Sequence, residues 1–354
     1  MDIYVLNKQT AIIGIISNFQ SVIWNMQYFG PGDFELITAA NDNNLELLEI
    51  GNYLVRETDR SSTIYNNVMV IESKEIKYDP ESGWVLTITG KGLKNILSRR
   101  IVWSQINLSG TVEDAIRKVI TDNVISPDNS NRAIQNFQLA PKLNLTDEAE
   151  IQLLGENIAE WLENVCTQYG YGWDIFIQNN KYVFKLYVGK NRSYNQSEVM
   201  PVVFSPKYDN LYSSKYSYSL ENYGNAGLVG GEGDGINQKT AAVGSGSGLD
   251  RYEIYINGSD VSSNGEIITL ETYLQMLESY GNEQLAVIQK TQSFEGEIEP
   301  NGMYKLNQDY FLGDIVQIEN EKGISAAPRI IEIIYSEDAN GVSIFPTFSE
   351  WEVI

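Results

Sequence analysis

The 354-residue sequence contains no histidine and a single cysteine, and both shortages exclude classes of function. Without an imidazole, the chain cannot build a Ser-His-Asp or Cys-His catalytic centre, or a zinc site that depends on histidine ligands. The one cysteine, Cys166, cannot form an internal disulfide, which suits synthesis in a reducing cytosol. Two-carboxylate glycosidase chemistry remains open, because it needs only Asp or Glu side chains.

Basic residues are also scarce, since 25 Lys and Arg stand against 47 Asp and Glu and give a net charge of −22 at pH 7. Such a charge repels phosphate backbones and anionic membrane surfaces, and no run of basic residues offsets it locally. No stretch approaches 18 consecutive apolar residues, and the N-terminus lacks the basic flank and cleavage site of a signal peptide. We therefore expect no specific nucleic-acid binding and no membrane anchor.

The residues that are present suffice for several folded domains, because 42% are hydrophobic and 22 Tyr, 11 Phe and 6 Trp are among them. Residues 1–100 contain short apolar, β-branched runs separated by polar turns, which predicts a β-rich domain. The turn 79–83 between two such runs predicts a hairpin. Short helices are expected at 41–49 and 90–97.

In the middle of the chain, residues 101–200, apolar residues recur with the spacing that is typical of helices. Thr111 opens a capping-box pattern that predicts a helix to about Asn123. Apolar residues recur at steps of three and four from Ile151 to Val165, which predicts a second, amphipathic helix. A hairpin is expected over 173–188. The pattern predicts a small α+β domain inserted into the chain.

Strand patterns return in residues 201–354, with two interruptions. The stretch 230–248 carries seven glycines and predicts a mobile loop that connects strands. Apolar spacing between Leu270 and Ile288 predicts a helix, within a helical insertion at about 251–300.

Two stretches of the sequence share one order of features. In each, a glycine and a polar residue precede a strand (Gly51-Asn52 and Gly313-Asp314), an Ile-Glu strand follows, and a hairpin closes the set. Gly-Asn and Gly-Asp are common turn dipeptides, so each single match is weak evidence. The shared order favours two similar small β-barrels, and two unrelated β-meanders are the alternative.

The segment 230–235 (GGEGDG) invites comparison with a phosphate-binding loop. Such a loop needs a lysine and a hydroxyl residue directly after its glycines, whereas Lys239 and Thr240 follow too late. Glu232 and Asp234 would also repel phosphate. Close packing of the backbone explains these glycines better.

Two small groups of oxygen-bearing side chains could be considered as calcium ligands. Asp42, Asn44 and Glu46 form one group, and Asp128 and Ser130 form the other. Neither has the central glycine and terminal glutamate of a calcium-binding loop. We expect solvated side chains and no metal site.

The remaining candidates for catalysis are carboxylates and the cysteine. Glu295, Glu297 and Glu299 alternate as a solvated strand face would, and nothing singles out an acid and a nucleophile among them. Cys166 lies near the apolar face of a predicted helix, so we expect a core residue. No catalytic, cofactor-binding or metal-binding residue is predicted.

Four motifs, taken together, carry a resemblance to a known family. They are 228–235 (LVGGEGDG), 248–256 (GLDRYEIYI), 309–316 (DYFLGDIV) and 90–100 (GKGLKNILSRR). The combination resembles the hub proteins of phage tails, which include the baseplate hubs of contractile tails and tailocins and the Gp37-like N-terminal region of siphophage tail-tip proteins. The likeness spans essentially the whole chain. One departure is Ile236-Asn237, where the family pattern leads us to expect an arginine.

The resemblance implies a fold, an assembly and a set of partners. The fold would be a β-rich α+β structure in which two related tail-tube-like β-barrels, 1–100 and 201–354, enclose the α+β domain 101–200. The assembly would be a homotrimer whose six barrels adapt the six-fold tail tube to a three-fold spike or fibre. The partners would be the tail tube or distal tail protein, the central spike or fibre protein, and the tape measure protein.

The same resemblance implies a location and a role for charge. The protein would be made in the bacterial cytoplasm and built into the tail tip or baseplate of a phage or phage-like particle. An acidic lumen would let DNA pass without adhering. The strands at 53–57 and 315–319 are expected near subunit interfaces or the lumen.

Two other functions fit the composition. A carbohydrate- or receptor-binding module of a tail tip is suggested by the aromatic content and the acidic surface. A cell-wall hydrolase is the other, since longer hub proteins carry a C-terminal lysin domain. The sequence stops at Ile354, shortly after the last predicted strands, which argues against the hydrolase. A hub should form trimers or bind tube protein, whereas a lectin should bind glycans alone.

Overall fold

A computed structural model describes residues 1–81, 83–265, 267–288, 291–300, 302–323 and 325–349, without the side chains of 213, 214, 291–293 and 295. Ser82 of the predicted hairpin turn, residues 266, 289 and 290 of the predicted helical insertion, and residues 350–354 lie outside this description.

The described chain is rich in strands, with helices between them. In chain order the strands are β1 (Ile3–Leu6), β2 (Ile12–Ile16), β3 (Ser21–Gln27), β4 (Asp33–Ala39), β5 (Tyr53–Arg56), β6 (Ile64–Tyr65), β7 (Met69–Asp79), β8 (Gly83–Gly92), β9 (Ile106–Thr111), β10 (Phe137–Leu139), β11 (Glu148–Leu153), β12 (Gly172–Gln178), β13 (Lys181–Tyr187), β14 (Asn191–Arg192), β15 (Val203–Phe204), β16 (Leu211–Ser219), β17 (Ala226–Gly230), β18 (Thr240–Gly244), β19 (Glu253–Asn257), β20 (Thr291–Ile298), β21 (Ile315–Glu319), β22 (Ser325–Ala326), β23 (Ile330–Asp338) and β24 (Gly341–Phe348). The α-helices are α1 (Asp42–Leu47), α2 (Val112–Ile120), α3 (Ile158–Tyr169) and α4 (Leu270–Ala286). Shorter 3-10 turns span Glu57–Asp59, Leu93–Arg99, Ser130–Arg132, Pro206–Tyr208, Gly235–Asn237 and Gly248–Asp250, and a π-helical turn spans Thr121–Ile125.

Eleven strands form one antiparallel sheet in the order β16-β20-β24-β23-β3-β4-β8-β7-β5-β1-β2. Alternate residues along these strands are fully buried on one face, as in the paired residues Leu36 and Ile88, and this face packs on the apolar core. Within the described residues no sheet closes on itself, since β16 and β2 are the two ends of this one. The predicted β-rich α+β class is therefore confirmed, but the structure does not show two closed barrels.

Two four-stranded units of the same topology lie side by side in this sheet. The first unit is β3-β4-β8-β7 and the second is β16-β20-β24-β23, and β23 of the second pairs with β3 of the first. In both units every neighbouring pair is antiparallel and the last two strands form a hairpin. The units are thus two copies of one supersecondary pattern.

The glycine–polar pairs occupy equivalent places in the two units. Gly51 N–H donates to the Ile71 carbonyl at 2.8 Å, and Ile71 N–H donates back to Asn52 at 3.0 Å. In the second unit Gly313 N–H donates to the Ile330 carbonyl at 2.8 Å, and Ile330 N–H donates back to the Asp314 carbonyl at 2.8 Å. Both glycines have a positive φ, +89° and +95°, which other residues rarely adopt.

A bulge follows at the same step in both hairpins. The register of β7 on β8 shifts between Ile71 and Ser73, and that of β23 on β24 shifts between Ile330 and Glu332. The bulge therefore adds a further feature that the two units share. The order of features seen in the sequence reflects a structural repeat.

Residues 101–200 build a second apolar core against the first unit. Its centre is α3, where Trp161 and Cys166 are buried against Trp173 of β12, and Leu97 of the first unit joins them. The predicted helix from Ile151 is shorter than expected: Glu148–Leu153 forms β11 beside β9, and the helix begins at Ile158. The chain bends between them at Gly155, which has a positive φ, and Asn157 caps the helix.

A third core belongs to residues 224–288. The strands β17, β18 and β19 form a small sheet, and α4 covers it with Tyr273 and Leu277 against Val229. The predicted loop 230–248 is therefore two loops, because Thr240–Gly244 forms β18 and pairs with β17. The residues of β18 are mostly small, so the pattern of large apolar residues did not predict this strand.

Candidate assembly interface

The joint between the two units is the pairing of β23 with β3. Seven residue pairs span it, from Glu332 opposite Gln27 to Asp338 opposite Ser21. At its middle, Tyr335 lies opposite Trp24, which is fully buried. The joint thus links residues more than 300 positions apart in the chain.

A buried arginine covers this joint. The Arg56 guanidinium carbon lies 5.6 Å from the centre of the Trp24 ring and 4.8 Å from the Tyr335 ring. Its Nε donates to Asp59, and both side chains of this ion pair are 2% exposed. Asp59 also accepts a hydrogen bond from Asn67 at 2.8 Å. The charge is therefore stacked on two aromatic rings and neutralised away from solvent.

Sequence reasoning did not identify this arginine. Arg56 ends the apolar strand β5, where a charged residue is more often at the solvent surface. The only local signal is Asp59, three residues later in a short 3-10 turn. The two rings that complete the site come from β3 and β23, which only the fold brings together.

Three strand edges border the eleven-stranded sheet in the described part of the chain. β16 and β2 are the ends of the eleven-stranded sheet, and β7 pairs only with β8 from Ser73 to Asp79. These edges carry exposed large apolar side chains: Ile12, Ile13 and Ile15 on β2, Ile76 and Tyr78 on β7, and Tyr212, Tyr216 and Tyr218 on β16. A soluble protein must cover or pair such edges, so they are candidate contacts with other chains.

The strands expected near subunit interfaces or the lumen, at 53–57 and 315–319, are paired with other strands of the same chain. β5 (Tyr53–Arg56) is buried and pairs with β1 on one side and β7 on the other. β21 (Ile315–Glu319) is bordered by β14, β15 and β22. The glycine–polar pairs that mark these strands anchor them to the Ile-Glu strands. Their position near a subunit interface or the lumen stays a prediction.

The face of the main sheet opposite the core is mainly polar, with Ile23, Ile37 and Val85 as apolar exceptions on β3, β4 and β8. Glu35 lies opposite Thr89, and Asp33 opposite Lys91, on neighbouring strands β4 and β8. On β7 the same face carries Glu75, Lys77 and Asp79, which lie opposite Thr87, Val85 and Gly83. Acidic residues outnumber basic ones on this part of the face.

The glycine-rich segment is held by hydrogen bonds rather than arranged around an anion site. Glu232 accepts hydrogen bonds from Ser263 Oγ at 2.7 Å, Ser263 N at 2.6 Å and Ser262 Oγ at 3.0 Å. These bonds, led by that of the Ser263 hydroxyl, lower the pKa of Glu232 to about 2. A Cβ atom on Gly231 would collide with the Tyr273 hydroxyl, so close packing requires this glycine.

Asn44, one of the residues weighed as calcium ligands, is bonded within the fold. Asn44 is buried, and its Nδ2 donates to the Ala39 carbonyl at 2.9 Å and to Thr38 Oγ1 at 3.1 Å. Its amide therefore fixes the start of α1. Within the described residues, no group of three or more Asp, Glu, Cys or His side chains is arranged to hold a metal ion.

The other residues considered for catalysis are three glutamates of β20 and the loop after it, and Cys166. Glu297 accepts from the Ser343 hydroxyl at 2.7 Å, and Glu299 accepts from the Tyr212 hydroxyl at 3.2 Å. The side chain of Glu295 lies outside the described residues. Cys166 is fully buried, and burial raises the pKa of its thiol well above the ordinary range.

A cleft of about 610 Å³ lies between the first unit and residues 101–200. Lys94 in its wall is buried, and its Nζ donates to the Gln27 carbonyl at 2.7 Å and the Trp173 carbonyl at 3.2 Å. Burial lowers the pKa of Lys94 to about 8. Arg192 and Asp314 form an ion pair at 2.6 Å on another side. The charges of Lys94 and Arg192 therefore have partners within the chain.

The family of the chain follows from comparison with known proteins. The family of siphovirus ReqiPepy6 Gp37-like proteins matches residues 2–348, and the chain therefore belongs to this phage tail protein family. Membership indicates a component of the virion. A search of curated proteins gave no match. No helix of the described residues is long and apolar enough to cross a membrane.

Solved phage tail proteins share this fold. The tail protein from Neisseria meningitidis MC58 is 13% identical with a TM-score of 0.60, over 98% of this chain and 96% of that one. The 43 kDa tail protein of prophage MuSo2 from Shewanella oneidensis is 14% identical with a TM-score of 0.60, over 99% and 98%. The prophage tail protein gp18 from Listeria monocytogenes EGD-e is 12% identical with a TM-score of 0.54, over 98% and 94%.

Proposed function

We propose that this chain is the structural hub of a phage tail tip or baseplate, a homotrimer that adapts a six-fold tail tube to a three-fold spike or fibre. The observation that carries the proposal is the repetition of one four-stranded unit, side by side in one sheet. Three chains with two equivalent units each can present six similar contacts to a six-fold partner and three to a three-fold one.

The domain boundaries belong to the same proposal. Residues 1–100 and 201–354 supply the two tube-like units, and each would become part of a closed barrel wall only in the trimer. Residues 101–200 would lie outside the ring, as would the unit at 224–288. The separate apolar core of 224–288 supports its place outside the ring, whereas the core of 101–200 also includes residues of 1–100 such as Tyr53 and Val70.

The polar face of the main sheet would line the lumen. Its excess of acidic residues and the net charge of −22 would keep a passing DNA duplex from adhering. The tail tube or distal tail protein would bind one rim of the ring, and the spike or fibre protein the other. The tape measure protein would contact the lumen.

The role would be structural and not enzymatic. The chain has no histidine, and the carboxylates weighed above as a possible acid and nucleophile accept hydrogen bonds from Ser and Tyr hydroxyls instead. Purified protein is expected to leave a cell-wall suspension turbid. Clearing that a single Asp or Glu substitution abolishes would contradict a purely structural role.

Sedimentation velocity tests the hub assignment directly. The chain should sediment as a trimer alone or when mixed with the tube or spike protein encoded with it. A control mixture with an unrelated acidic protein of similar size should leave its sedimentation unchanged. A chain that stays monomeric at all concentrations and binds neither partner would overturn the proposal, and glycan binding by such a monomer would favour a receptor-binding module.

A further inference from the structure

We propose that a cleft beside Trp103 binds a neutral saccharide. The cleft has a volume of about 470 Å³ and lies between the segment 103–107 and the end of α2 with the loop that follows it. Its volume falls within the range of about 300–1,000 Å³ that is typical of small-molecule sites. The proposal is independent of the hub assignment, because it concerns a binding site on a single chain.

Trp103 presents its ring to solvent from an anchored backbone. It is 64% exposed, although an indole ring is among the largest apolar surfaces that a fold can bury. The preceding residue, Val102, is fully buried. Its N–H donates to the Glu156 carbonyl at 2.9 Å, and its carbonyl accepts from Gly155 N–H at 2.8 Å. The backbone therefore holds Trp103 at the surface, where its ring can serve as a contact for a ligand.

Arg132 supports one face of this ring. Its guanidinium carbon lies 4.9 Å from the centre of the Trp103 ring, and its Nη2 donates to the Ile101 carbonyl at 2.7 Å. The side-chain carbonyl of Asn123 accepts from Arg132 Nη2 at 3.2 Å and from Trp103 N–H at 3.3 Å. Asn123 is itself buried, and its Nδ2 donates to the Val119 carbonyl at 3.0 Å. One buried amide thus orients both residues and leaves the other face of the ring open.

The groups around the open face suit a sugar. The face of an aromatic ring carries partial negative charge, and the C–H bonds of a pyranose ring, which are weakly positive, can pack on it. Gln105 Oε1, Asn107 Nδ2 and Asn129 Nδ2 make no hydrogen bond within the described part of the chain. They offer an acceptor and two donors, and sugar hydroxyls need both kinds of partner. Asn264 of the neighbouring unit accepts from Gln105 Nε2 at 2.8 Å and so orients its amide.

The balance of charge in the cleft favours a neutral ligand. Its lining contains two basic residues, Lys118 and Arg132, and two acidic ones, Asp122 and Asp128. Lys118 Nζ pairs with Asp122 at 2.6 Å. This balance contrasts with the net charge of −22 on the whole chain. An anion would meet no excess of positive charge here, and a cation no excess of negative charge.

Saturation-transfer NMR with simple sugars tests the site. The neutral probes are the methyl glycosides of glucose, galactose, N-acetylglucosamine and rhamnose, and the charged comparators are glucuronate and glucosamine. We expect at least one neutral glycoside to bind, and Trp103→Ala to weaken that binding about tenfold. Trp103→Phe keeps a smaller aromatic face and should retain part of the affinity.

Trp84→Ala is the matched control. Trp84 is also exposed, at 59%, but it lies on the hairpin of β7 and β8 with its ring 5.3 Å from that of Tyr78. Its replacement should leave glycoside binding unchanged. Urea unfolding and sedimentation of every variant should match those of the unaltered protein, because both tryptophans are exposed.

Three results would overturn the proposal. They are binding of none of the four neutral glycosides, tighter binding of glucuronate or glucosamine, and an equal loss of binding in Trp84→Ala and Trp103→Ala. If the unaltered protein binds no glycoside and Trp103→Ala dissociates an assembly in sedimentation, the ring is a contact between subunits instead. Failure of the hub assignment would appear separately, as a chain that stays monomeric and still binds the glycoside.

Discussion

Arg56 stacks on Trp24 from the first four-stranded unit and on Tyr335 from the second, and so lies across the joint between them. The joint is further tied by the N-terminal ammonium of Met1, which pairs with Glu337 at 2.8 Å. Gln27 Nε2 donates to Glu332 at 3.1 Å at the other end. Contacts between the two ends of the chain thus turn two repeated units into one sheet.

Replacing Arg56 should strongly destabilise the fold. Arg56→Met leaves Asp59 buried with only its Asn67 hydrogen bond, and an unpaired buried charge of this kind costs about 3–5 kcal/mol. The measurement is urea unfolding followed by tryptophan fluorescence at one protein concentration. Arg251→Met is the control: its pair with Glu253 is solvent-exposed, so a change within about 0.5 kcal/mol is expected. Equal effects of the two substitutions would contradict the role given to Arg56.

Glu283 should make the fold less stable as the pH rises. It is buried in a cavity between α4 and α3 whose described lining also holds Glu150, Glu156 and Glu160 and no Lys or Arg. Burial, with a smaller contribution from Glu156, raises the pKa of Glu283 to about 8 from an ordinary value near 4.5. The folded protein therefore binds more protons than the unfolded chain between these values, and stability falls as the pH rises through them.

Glu283→Gln should accordingly stabilise the protein by on the order of 5 kcal/mol above pH 8 and have little effect near pH 4.5. Urea unfolding across this pH range is the measurement. Glu278→Gln, on the exposed side of the same helix, is the control and should change stability by no more than about 0.5 kcal/mol. A stability gain for Glu283→Gln that is constant with pH would contradict the assignment.

Glu232 should hold the glycine-rich segment in place. Glu232→Gln weakens acceptance from Ser262 and Ser263, so amide hydrogen exchange should accelerate at 231–239 and 259–263. Asp234→Asn, an exposed change two residues away, serves as the control and should leave exchange unchanged. Because the pKa of Glu232 is depressed to about 2, this support should persist at neutral pH and fade as the pH falls from about 4.5 towards 2.

Assembly should strengthen as salt screens the charge on the copies. Each chain carries a net charge of −22, and like-charged copies around one axis repel. Raising the salt from about 0.1 to 1 M shortens the Debye length from about 10 to about 3 Å, so the trimer fraction in sedimentation should rise. Sucrose at matched osmolality is the control. Weaker assembly in salt would instead indicate contacts between opposite charges.

Much of the local structure could be predicted from the sequence, because short-range spacing and caps decide it. Thr111 caps α2 through its bond to Asp114 N, as the capping-box pattern predicts. The hairpin of β7 and β8 also lies where its turn residues indicate. The helix predicted from Ile151 begins seven residues late, since pairing of β11 with β9 outweighs the apolar periodicity there.

The sequence by itself determined the repeated units, since each glycine–polar pair, bulge and hairpin forms from neighbouring residues. Only the tertiary structure decided that β23 pairs with β3 and that Arg56 is buried over that joint. The physical reason is that strand edges are chemically alike, because every edge offers the same N–H and C=O groups. Local sequence patterns therefore do not specify which strand pairs with which. That choice depends on which apolar faces can be buried together, and here it brings the two ends of the chain into one sheet.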